Sequence, residues 1–389
     1  MDAAAAELRQ AIETQAKERG FDRLGFAPAA PPARAEFFKN WLAEGKAGTM
    51  TYLHRSAERR TDPQRVLPGV RTIISVAQSY FTGKLPVEIR NDPSRGLIAS
   101  YAWGKDYHDV LLAKLIELAK FVEELAPGHA TKSYVDTGHI LERDHGARAG
   151  LGFIGKNTLL ISPQIGSTFF LGEILTTLDL PPSPPVRMPS CGSCTRCLDV
   201  CPTHAFPTAY VLDSTLCISY LTIEYRGIIP RQLRAKMSNH IFGCDDCQDC
   251  CPWNQRFSKE TGEPSYRALL DRQAPRLNEL AALTDAQFRE RFFGTAVLRT
   301  RHSGFLRNVA IALGNWGSEE ALESLEGLLR SEDPLVRTHA VWAVAQSRFS
   351  RADNILRRLD KKEANENVRA EIVDGLAERA KRADSAPHK

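Results

Sequence analysis

Cys191-Gly-Ser-Cys-Thr-Arg-Cys-Leu-Asp-Val-Cys-Pro202 is the segment that determines the fold in the middle of this 389-residue chain. Its cysteines follow the C-x2-C-x2-C-x3-C-P spacing of bacterial ferredoxins, in which three thiolates hold one [4Fe–4S] cluster and the fourth binds a second. A structural zinc site normally uses separated pairs of cysteines instead. Because such clusters transfer single electrons, the motif predicts redox chemistry.

A second, partial motif completes the set of ligands. It repeats the end of the first motif and finishes at Cys251-Pro252, but Ile241 stands where its first cysteine would be. Cys217 is the distant cysteine left to replace it, and the crossover rule then gives each cluster four thiolates. The first set is Cys191, Cys194, Cys197 and Cys251, and the second is Cys201, Cys217, Cys244 and Cys247. Cys250 is left over; it can replace Cys251, but the following proline favours Cys251.

Composition is that of an ordinary globular protein, with 25% charged and 43% hydrophobic residues. No apolar run approaches the length of roughly 20 residues that spans a bilayer, and the N-terminus carries no export signal. Cluster-binding thiolates also require a reducing compartment. We therefore expect a cytoplasmic protein that does not associate with membranes. The net charge of +4 is too small to imply a polyanionic partner by itself.

The order of the predicted elements suggests three consecutive domains. Strand-like and helical patterns alternate over residues 1–180, which predicts an α/β domain. Residues 181–260 open on the stiff linker Pro181-Pro-Ser-Pro-Pro185 and contain the ferredoxin-like motifs. Residues 261–389 are predicted to be helical.

A weak repeat runs through the last part of the chain. Arg307, Arg337 and Arg369 recur at intervals of 30 and 32 residues, and each opens a helix with one apolar face. Stacked helix pairs of HEAT type explain this spacing, and an ordinary helical bundle is the alternative.

The densest polar segment is Val135-Asp-Thr-Gly-His-Ile-Leu-Glu-Arg143. Asp136 follows a predicted strand and precedes a helix predicted over residues 139–149, so its side chain either caps that helix or projects into a crevice as a catalytic acid. Nearby, Asp106-Tyr-His108 partly matches the D-x-H-x-x-G motif in which histidine binds the cobalt of cobalamin. Leu111 replaces the glycine, so we interpret His108 as a helix-start or surface residue.

Several segments together resemble one family, epoxyqueuosine reductase. They are Tyr101-Ala-Trp-Gly-Lys-Asp-Tyr-His108, residues 136–143, Ala149-Gly-Leu-Gly152, Cys217-Ile-Ser-Tyr-Leu-Thr-Ile-Glu224, Gly243-Cys-Asp-Asp-Cys-Gln248 and Cys251-Pro-Trp-Asn254. The resemblance implies a cobalamin domain of reductive-dehalogenase type without a lower histidine ligand, two [4Fe–4S] clusters and C-terminal HEAT-like repeats. It implies reduction of the epoxide of epoxyqueuosine to queuosine at the wobble position of a tRNA anticodon stem-loop. An external low-potential electron donor and a monomeric state are also expected.

The resemblance extends to individual residues. Asp136 stands where the family has its proton donor, beside the cobalamin. Arg60 matches an arginine that contacts the cobalamin. The other predicted corrin contacts are Lys156, Asn157, Thr158, Leu160 and Leu171.

Two basic stretches are candidates for contact with the tRNA backbone. The first contributes Arg226, Arg231 and Arg234, and the second contributes Arg299, Arg301 and Arg307. The second also contains Phe292 and Phe293, and basic residues interleaved with aromatic ones suit phosphate contact with base stacking. Solvated helix faces and core aromatic residues are the alternative for both.

Two other functions fit the cysteine motifs: a corrinoid reductive dehalogenase of a small organohalide, and a non-enzymatic ferredoxin-like electron carrier. The absent export signal and the C-terminal repeats, which a small substrate does not require, argue against the dehalogenase.

Overall fold

The computed structural model describes residues 3–184, 186, 190–267 and 270–384, so Pro185 at the end of the predicted linker lies outside it. The chain divides into two compact units. Unit 1 comprises Met1–Gly83, Gly104–Thr215 and Asp245–Arg267, and unit 2 comprises Lys84–Trp103, Leu216–Cys244 and Ala268–Lys389. This differs from three consecutive domains, because the ferredoxin-like stretch contributes residues to both units.

The strands, in chain order, are β1 (Arg23–Pro28), β2 (Thr72–Ser79), β3 (Leu97–Ile98), β4 (Thr131–Tyr134), β5 (Phe153–Ile154), β6 (Leu160–Ile161), β7 (Phe169–Thr176) and β8 (His240–Phe242). The helices are α1 (Ala3–Glu18), α2 (Ala35–Ala43), α3 (Thr51–Arg55), α4 (Ala57–Arg60), α5 (Val87–Arg90), α6 (Tyr107–Leu125), α7 (Glu142–Arg148), α8 (Arg196–Asp199), α9 (Ile218–Ile223), α10 (Arg231–Arg234), α11 (Asp246–Asp249), α12 (Pro252–Phe257), α13 (Leu277–Ala281), α14 (Asp285–Arg291), α15 (Arg301–Trp316), α16 (Glu319–Leu328), α17 (Pro334–Gln346), α18 (Arg351–Asp360) and α19 (Glu366–Asp384).

Unit 1 is built on a four-stranded sheet in the order β1-β2-β7-β4, antiparallel throughout. The two central strands are rich in apolar and β-branched residues, and every position of β2 is buried. Helix α6 covers one face, where the Phe170 ring stacks on Tyr107 with ring centroids 4.2 Å apart. Because side chains alternate along a strand, Leu171, Glu173 and Leu175 point to the opposite face, which α7 covers.

The loop before α7 departs from the sequence prediction. The helix predicted from His139 begins at Glu142 instead, with Leu141 at its N-cap position. Asp136 has a φ of +56°, in the left-handed region that is costly for residues other than glycine, asparagine and aspartate. Residues 136–141 therefore form a loop, and the interpretation of Asp136 as a helix cap is wrong.

Unit 2 contains the predicted C-terminal helices. Close packing recurs between alternate helices: a Cβ added at Gly314 of α15 would lie 2.7 Å from the Cβ of Ala343 in α17. One at Gly375 of α19 would lie 2.8 Å from Ala345, so small residues recur where these helices meet. Among the described residues, no helix combines the length and apolar character that crossing a membrane requires.

Candidate active site

Asp136 lies two residues after the end of β4, and a hydrogen bond from its backbone N–H holds it in position. Its N–H donates to Oε1 of Glu142 at 2.6 Å, which fixes the left-handed turn. The side chain is 48% exposed, so it borders an open space rather than the core. The arrangement suits a group that meets a substrate.

His108 connects Asp136 to a second carboxylate. Its Nδ1 lies 2.7 Å from Oδ1 of Asp106, and its Nε2 lies 3.2 Å from Oδ2 of Asp136. Burial lowers the pKa of His108, but the hydrogen bonds and charges of Asp106 and Asp136 outweigh it and raise the pKa to about 9. At neutral pH the ring is therefore an imidazolium that donates from both nitrogens. The sequence interpretation placed His108 correctly at a helix start but missed this role.

Asp106 is the residue that sets this geometry. It is the N-cap of α6, and its carboxylate accepts the N–H of His108 at 3.1 Å as well as the ring proton. The capping signal was present in the sequence as Asp106 before an apolar helix. What it does not reveal is that the first turn of α6 faces the end of β4.

Two further carboxyl groups, those of Glu142 and Glu173, interact with each other and with Asp136, and neither was predicted as a site residue. Burial first, and then the charge of Asp136, raise the pKa of Glu142 to about 8. Glu173 is fully buried in β7, and burial followed by the charge of Glu142 raises its pKa well above the ordinary value. A glutamate inside the apolar strand Phe-Phe-Leu-Gly-Glu-Ile-Leu-Thr was the available signal.

Arg60, a predicted corrin contact, is buried and supports the Asp136 loop. Its Nε donates to Oγ of Ser56 at 2.9 Å and its Nη1 to the carbonyl of Ile140 at 3.1 Å. The guanidinium therefore fixes the loop that carries Asp136.

The other predicted corrin contacts lie near the cysteine segment or in the adjoining apolar cluster. The Lys156 N–H points at Sγ of Cys191 over 3.4 Å, and Nδ2 of Asn157 donates to the carbonyl of Cys247 at 3.3 Å. The carbonyl of Thr158 accepts a 2.7 Å bond from Arg143, the residue after Glu142. Leu160 and Leu171 pack in one apolar cluster on the α7 face of the sheet.

Unit 1 contains a cavity of about 310 Å³ lined by the whole first cysteine set: Cys191, Cys194, Cys197 and Cys251. Trp253 and Phe257 form part of its wall, and Cys250 is not among the lining residues. Four thiols around one cavity are the donor set that a [4Fe–4S] cluster requires. Of the second set, Cys201 and Cys247 belong to unit 1, whereas Cys217 and Cys244 belong to unit 2.

Of the six arginines of unit 2 predicted to contact tRNA, two are buried and four are at least partly exposed. Arg307 is 0% exposed and donates to the carbonyls of Leu221, Tyr225 and Gly227, and Arg234 is similarly buried against Glu371 and the carbonyl of Ile229. The prediction that these two residues contact tRNA is wrong, because their charges are satisfied inside the unit.

Three of the remaining four predicted arginines lie together at one segment of unit 2. Arg226 donates to the carbonyls of Arg299 and Thr300, at the end of a 3₁₀ helix over Ala296–Thr300, and so holds this segment. Arg301 and Phe293 are exposed, Phe293 by 79%. The fourth, Arg231, is paired with two carboxylates, those of Glu371 and Glu378.

Comparison with known proteins assigns the chain to a family. Three family models match: "Epoxyqueuosine reductase QueG, DUF1730" over residues 60–137, "4Fe-4S double cluster binding domain" over 190–254, and "HEAT repeats" over 295–383. Epoxyqueuosine reductase of Xanthomonas campestris is 41% identical over 340 residues, covering 86% of this chain and 95% of that protein. The HEAT-type prediction is thereby confirmed, and the alternative of an ordinary bundle is set aside.

Two solved structures are similar over nearly the whole chain. One is an epoxyqueuosine reductase with an epoxyqueuosine-modified tRNA-Tyr stem loop, at 30% identity and a TM-score of 0.88, covering 97% of this chain and 100% of that one. The other, from Bacillus subtilis, has its catalytic aspartate loop swung out of the active site; it is 29% identical with a TM-score of 0.85, covering 96% and 99%. With a curated relative above 40% identity over most of both chains, this protein belongs to the epoxyqueuosine reductase family.

Proposed function

We propose that this protein removes the epoxide oxygen of epoxyqueuosine in a tRNA anticodon stem-loop and so produces queuosine. Loss of that oxygen as water consumes two electrons and two protons. The observation that carries the proposal is the Asp106–His108–Asp136 relay, in the same unit as the first cysteine set. One feature supplies protons and the other supplies electrons.

The electrons would pass through two [4Fe–4S] clusters, each transferring one at a time. Cys191, Cys194, Cys197 and Cys251 would hold the first cluster, which the lining of the cavity supports. Cys201, Cys217, Cys244 and Cys247 would hold the second. An external low-potential donor would reduce them, and the protein would act as a monomer in the cytoplasm.

Cobalamin is the proposed cofactor beside Asp136, in an α/β fold of reductive-dehalogenase type. Two observations fit it. Among the described residues nothing hydrogen-bonds to the buried Nδ1 of His139, in the Asp136 loop, and a corrin amide side chain would satisfy it. Both nitrogens of His108 are engaged by carboxylates, so this histidine offers no lower ligand to cobalt. When bound, cobalamin would supply a strongly reducing, nucleophilic metal centre next to the epoxide.

The protein's own residues would deliver the proton to the epoxide oxygen. His108, an imidazolium at neutral pH, would give its proton to Asp136 across their 3.2 Å contact, and Asp106 stabilises the charged ring. Asp136, exposed at the loop, would pass that proton to the epoxide oxygen, which would otherwise leave as a costly alkoxide. Arg60 keeps the loop in place through the carbonyl of Ile140.

Replacement of His108 by glutamine tests the relay. We expect kcat to fall about 10²-fold, the lower end of general acid–base contributions. In the unmodified protein kcat should decline as pH rises through about 9, because His108 is protonated below that pH and loses its proton above it. The variant should lack this decline. A kcat–pH profile checks both, and an unchanged alkaline limb in the variant would remove His108 from the mechanism.

The tRNA would meet unit 2 at Arg299, Arg301 and Phe293, which lie within nine residues of one another in the chain, with Arg301 and Phe293 exposed. Such a surface suits phosphate contact and base stacking. Arg226 holds the segment that carries Arg299 and Arg301 in position by donating to the carbonyls of Arg299 and Thr300.

Charge reversal of Arg299 and Arg301 to glutamate tests this surface. We expect weaker binding of an anticodon stem-loop, with the slope of log Kd against log salt reduced by about one per lost phosphate contact. Binding titrations at several salt concentrations measure this slope. Reversal of the exposed Arg330 and Arg369 makes the same charge change elsewhere in unit 2 and should leave the slope unchanged. If both pairs of substitutions changed the slope equally, net charge rather than a defined tRNA-binding surface would determine the binding.

The proposed reaction is tested directly with purified protein. Under anaerobic conditions, with reconstituted clusters, cobalamin and a low-potential reductant, an epoxyqueuosine-containing stem-loop should lose the mass of one oxygen atom. Omission of cobalamin should abolish the change. Conversion without cobalamin would refute the proposed cofactor, and no conversion under any of these conditions would refute the function.

A further inference from the structure

Glu173 is a buried acid without an ordinary partner. It lies on the central strand β7, is 0% exposed, and pairs across the sheet with Ser75 on one side and Tyr134 on the other. Within the described residues, no N–H group and no hydroxyl group donates to either of its carboxyl oxygens. A carboxylate stripped of water and of donors is costly, so an ionised Glu173 is unfavourable here.

Its polar neighbour is Glu142, the first residue of α7. The two side chains are close enough to hydrogen-bond, and two carboxyl groups can do so only when one of them carries a proton. Glu142 in turn accepts the backbone N–H of Asp136 at 2.6 Å. A continuous connection therefore runs from the central strand through Glu142 to the proposed proton donor.

The charged surroundings favour one shared proton over two charges. Arg60 offers Glu142 a positive charge, as does Arg143, while Asp136 adds a negative one. Burial raises the pKa of Glu142 to about 8 and raises that of Glu173 well above its ordinary value. Of the histidines in the same region, His145 stays neutral because burial lowers its pKa to about 3, and burial also lowers the pKa of His139.

We propose that Glu142 and Glu173 hold one proton between them and that this pair positions Asp136 for proton transfer. The shared proton ties Glu142 to β7, and the other oxygen of Glu142 holds the N–H of Asp136 in its left-handed turn. Both glutamates act through Asp136 rather than on the substrate, so they are positioning residues. The inference rests on the proposed function of Asp136 but concerns a property of the protein alone.

The inference predicts a pH-sensitive anchor. Loss of the shared proton leaves two buried carboxylates in contact and a third at Asp136, and their repulsion is relieved when Glu142 moves away. Because the pKa of Glu142 is about 8 and that of Glu173 is also raised, the pair keeps its shared proton at neutral pH, and the anchor is lost only as pH rises above about 8. Release of Glu142 removes the acceptor that fixes the Asp136 backbone.

Infrared spectroscopy of the full-length, cluster-loaded protein tests the pair without reference to turnover. The unmodified protein should show the carbonyl stretch of a protonated carboxylic acid at neutral pH, shifted by isotope labelling of glutamate. The band should weaken as pH rises above about 8. In Glu173→Gln it should be absent, because the amide donates to Glu142 without a titrating proton. Glu263→Gln is the control: this glutamate pairs with Lys114, which helps to lower its pKa, so its removal should leave the band intact.

Turnover supplies the second readout. Glu173→Gln preserves the hydrogen bond and should remove the fall in kcat that the glutamate pair causes above about pH 8, leaving only the decline through about pH 9 that belongs to His108. Glu173→Leu breaks the connection and should lower kcat about 100-fold, the cost of a small misplacement, with KM for the stem-loop unchanged. A protein without the infrared band, or a band that survives Glu173→Gln, would overturn the inference while leaving the proposed reaction untouched. Should Glu173→Leu fail to fold, Glu173→Gln alone still decides.

Discussion

Replacement of Asp136 by asparagine is expected to lower the rate of epoxide reduction by about 10²- to 10⁴-fold, the usual contribution of a positioned acid. Asparagine has nearly the same shape, tolerates the left-handed φ of +56° and keeps the backbone N–H that Glu142 accepts. What it lacks is a transferable proton. Single-turnover mass analysis of the stem-loop measures the rate, and the corrin absorption spectrum verifies that cofactor binding is preserved.

Asp109→Asn is the matched control for this experiment, because Asp109 is an exposed aspartate in the first turn of α6, one residue after His108. It removes the same charge near the same histidine and should leave the rate within about twofold, since exposed substitutions away from a site have small effects. Near-normal turnover of Asp136→Asn with cobalamin bound would exclude Asp136 as the proton donor. A loss equal to that of Asp109→Asn would point to local charge instead.

Replacement of Cys251 by alanine is expected to have the second largest effect. The first cluster would lose a ligand, the iron content should fall from about eight atoms per chain towards about four, and reduction should cease because the electron path is broken. Iron analysis and electron paramagnetic resonance of the reduced protein measure the loss.

Cys250→Ala provides the comparison, since Cys250 is the adjacent residue and yet does not line the cavity that the first cysteine set surrounds. It should keep both clusters and most of the activity. If Cys250→Ala lost iron and Cys251→Ala kept it, the fourth ligand would be Cys250, and the proline-based assignment would be wrong.

Local sequence patterns predicted much of the fold. The sequence pattern predicts a strand over residues 71–79 and a helix over residues 106–125, and β2 and α6 match these bounds within one residue. The match is close because a buried apolar run and a long apolar periodicity are determined locally. The arginine spacing likewise predicted the helical repeat, although Arg307 itself proved to be internal. Cysteine spacing predicted the double-cluster domain because the ligand geometry constrains the chain.

The contacts that define the candidate site could not be predicted in the same way. His108 and Asp136 are 28 residues apart, and their contact depends on how α6 packs against the sheet. The side chain of Arg307 donates to backbone carbonyls of residues 80 to 86 positions earlier, whereas the sequence indicates only a positive charge. Burial changes the role of such a residue from a surface contact to an internal support, and burial depends on the tertiary structure.

The division into units shows the same limit. Pro181 and its neighbours indicated a boundary, but the chain passes between the two units five times. Lys84–Trp103 joins unit 2 although it lies within a stretch whose pattern of strands and helices is that of unit 1. Sequence composition cannot reveal that each unit is built from three separate stretches of the chain.

The central claim is that this chain reduces epoxyqueuosine in tRNA through Asp136. It is tested most directly by analysing tRNA nucleosides from a strain that lacks the gene, carrying either the unmodified chain or Asp136→Asn. The account predicts epoxyqueuosine in the deletion strain, queuosine restored by the unmodified chain, and epoxyqueuosine persisting with Asp136→Asn. Queuosine in the deletion strain at the normal level, or full restoration by Asp136→Asn, would contradict it.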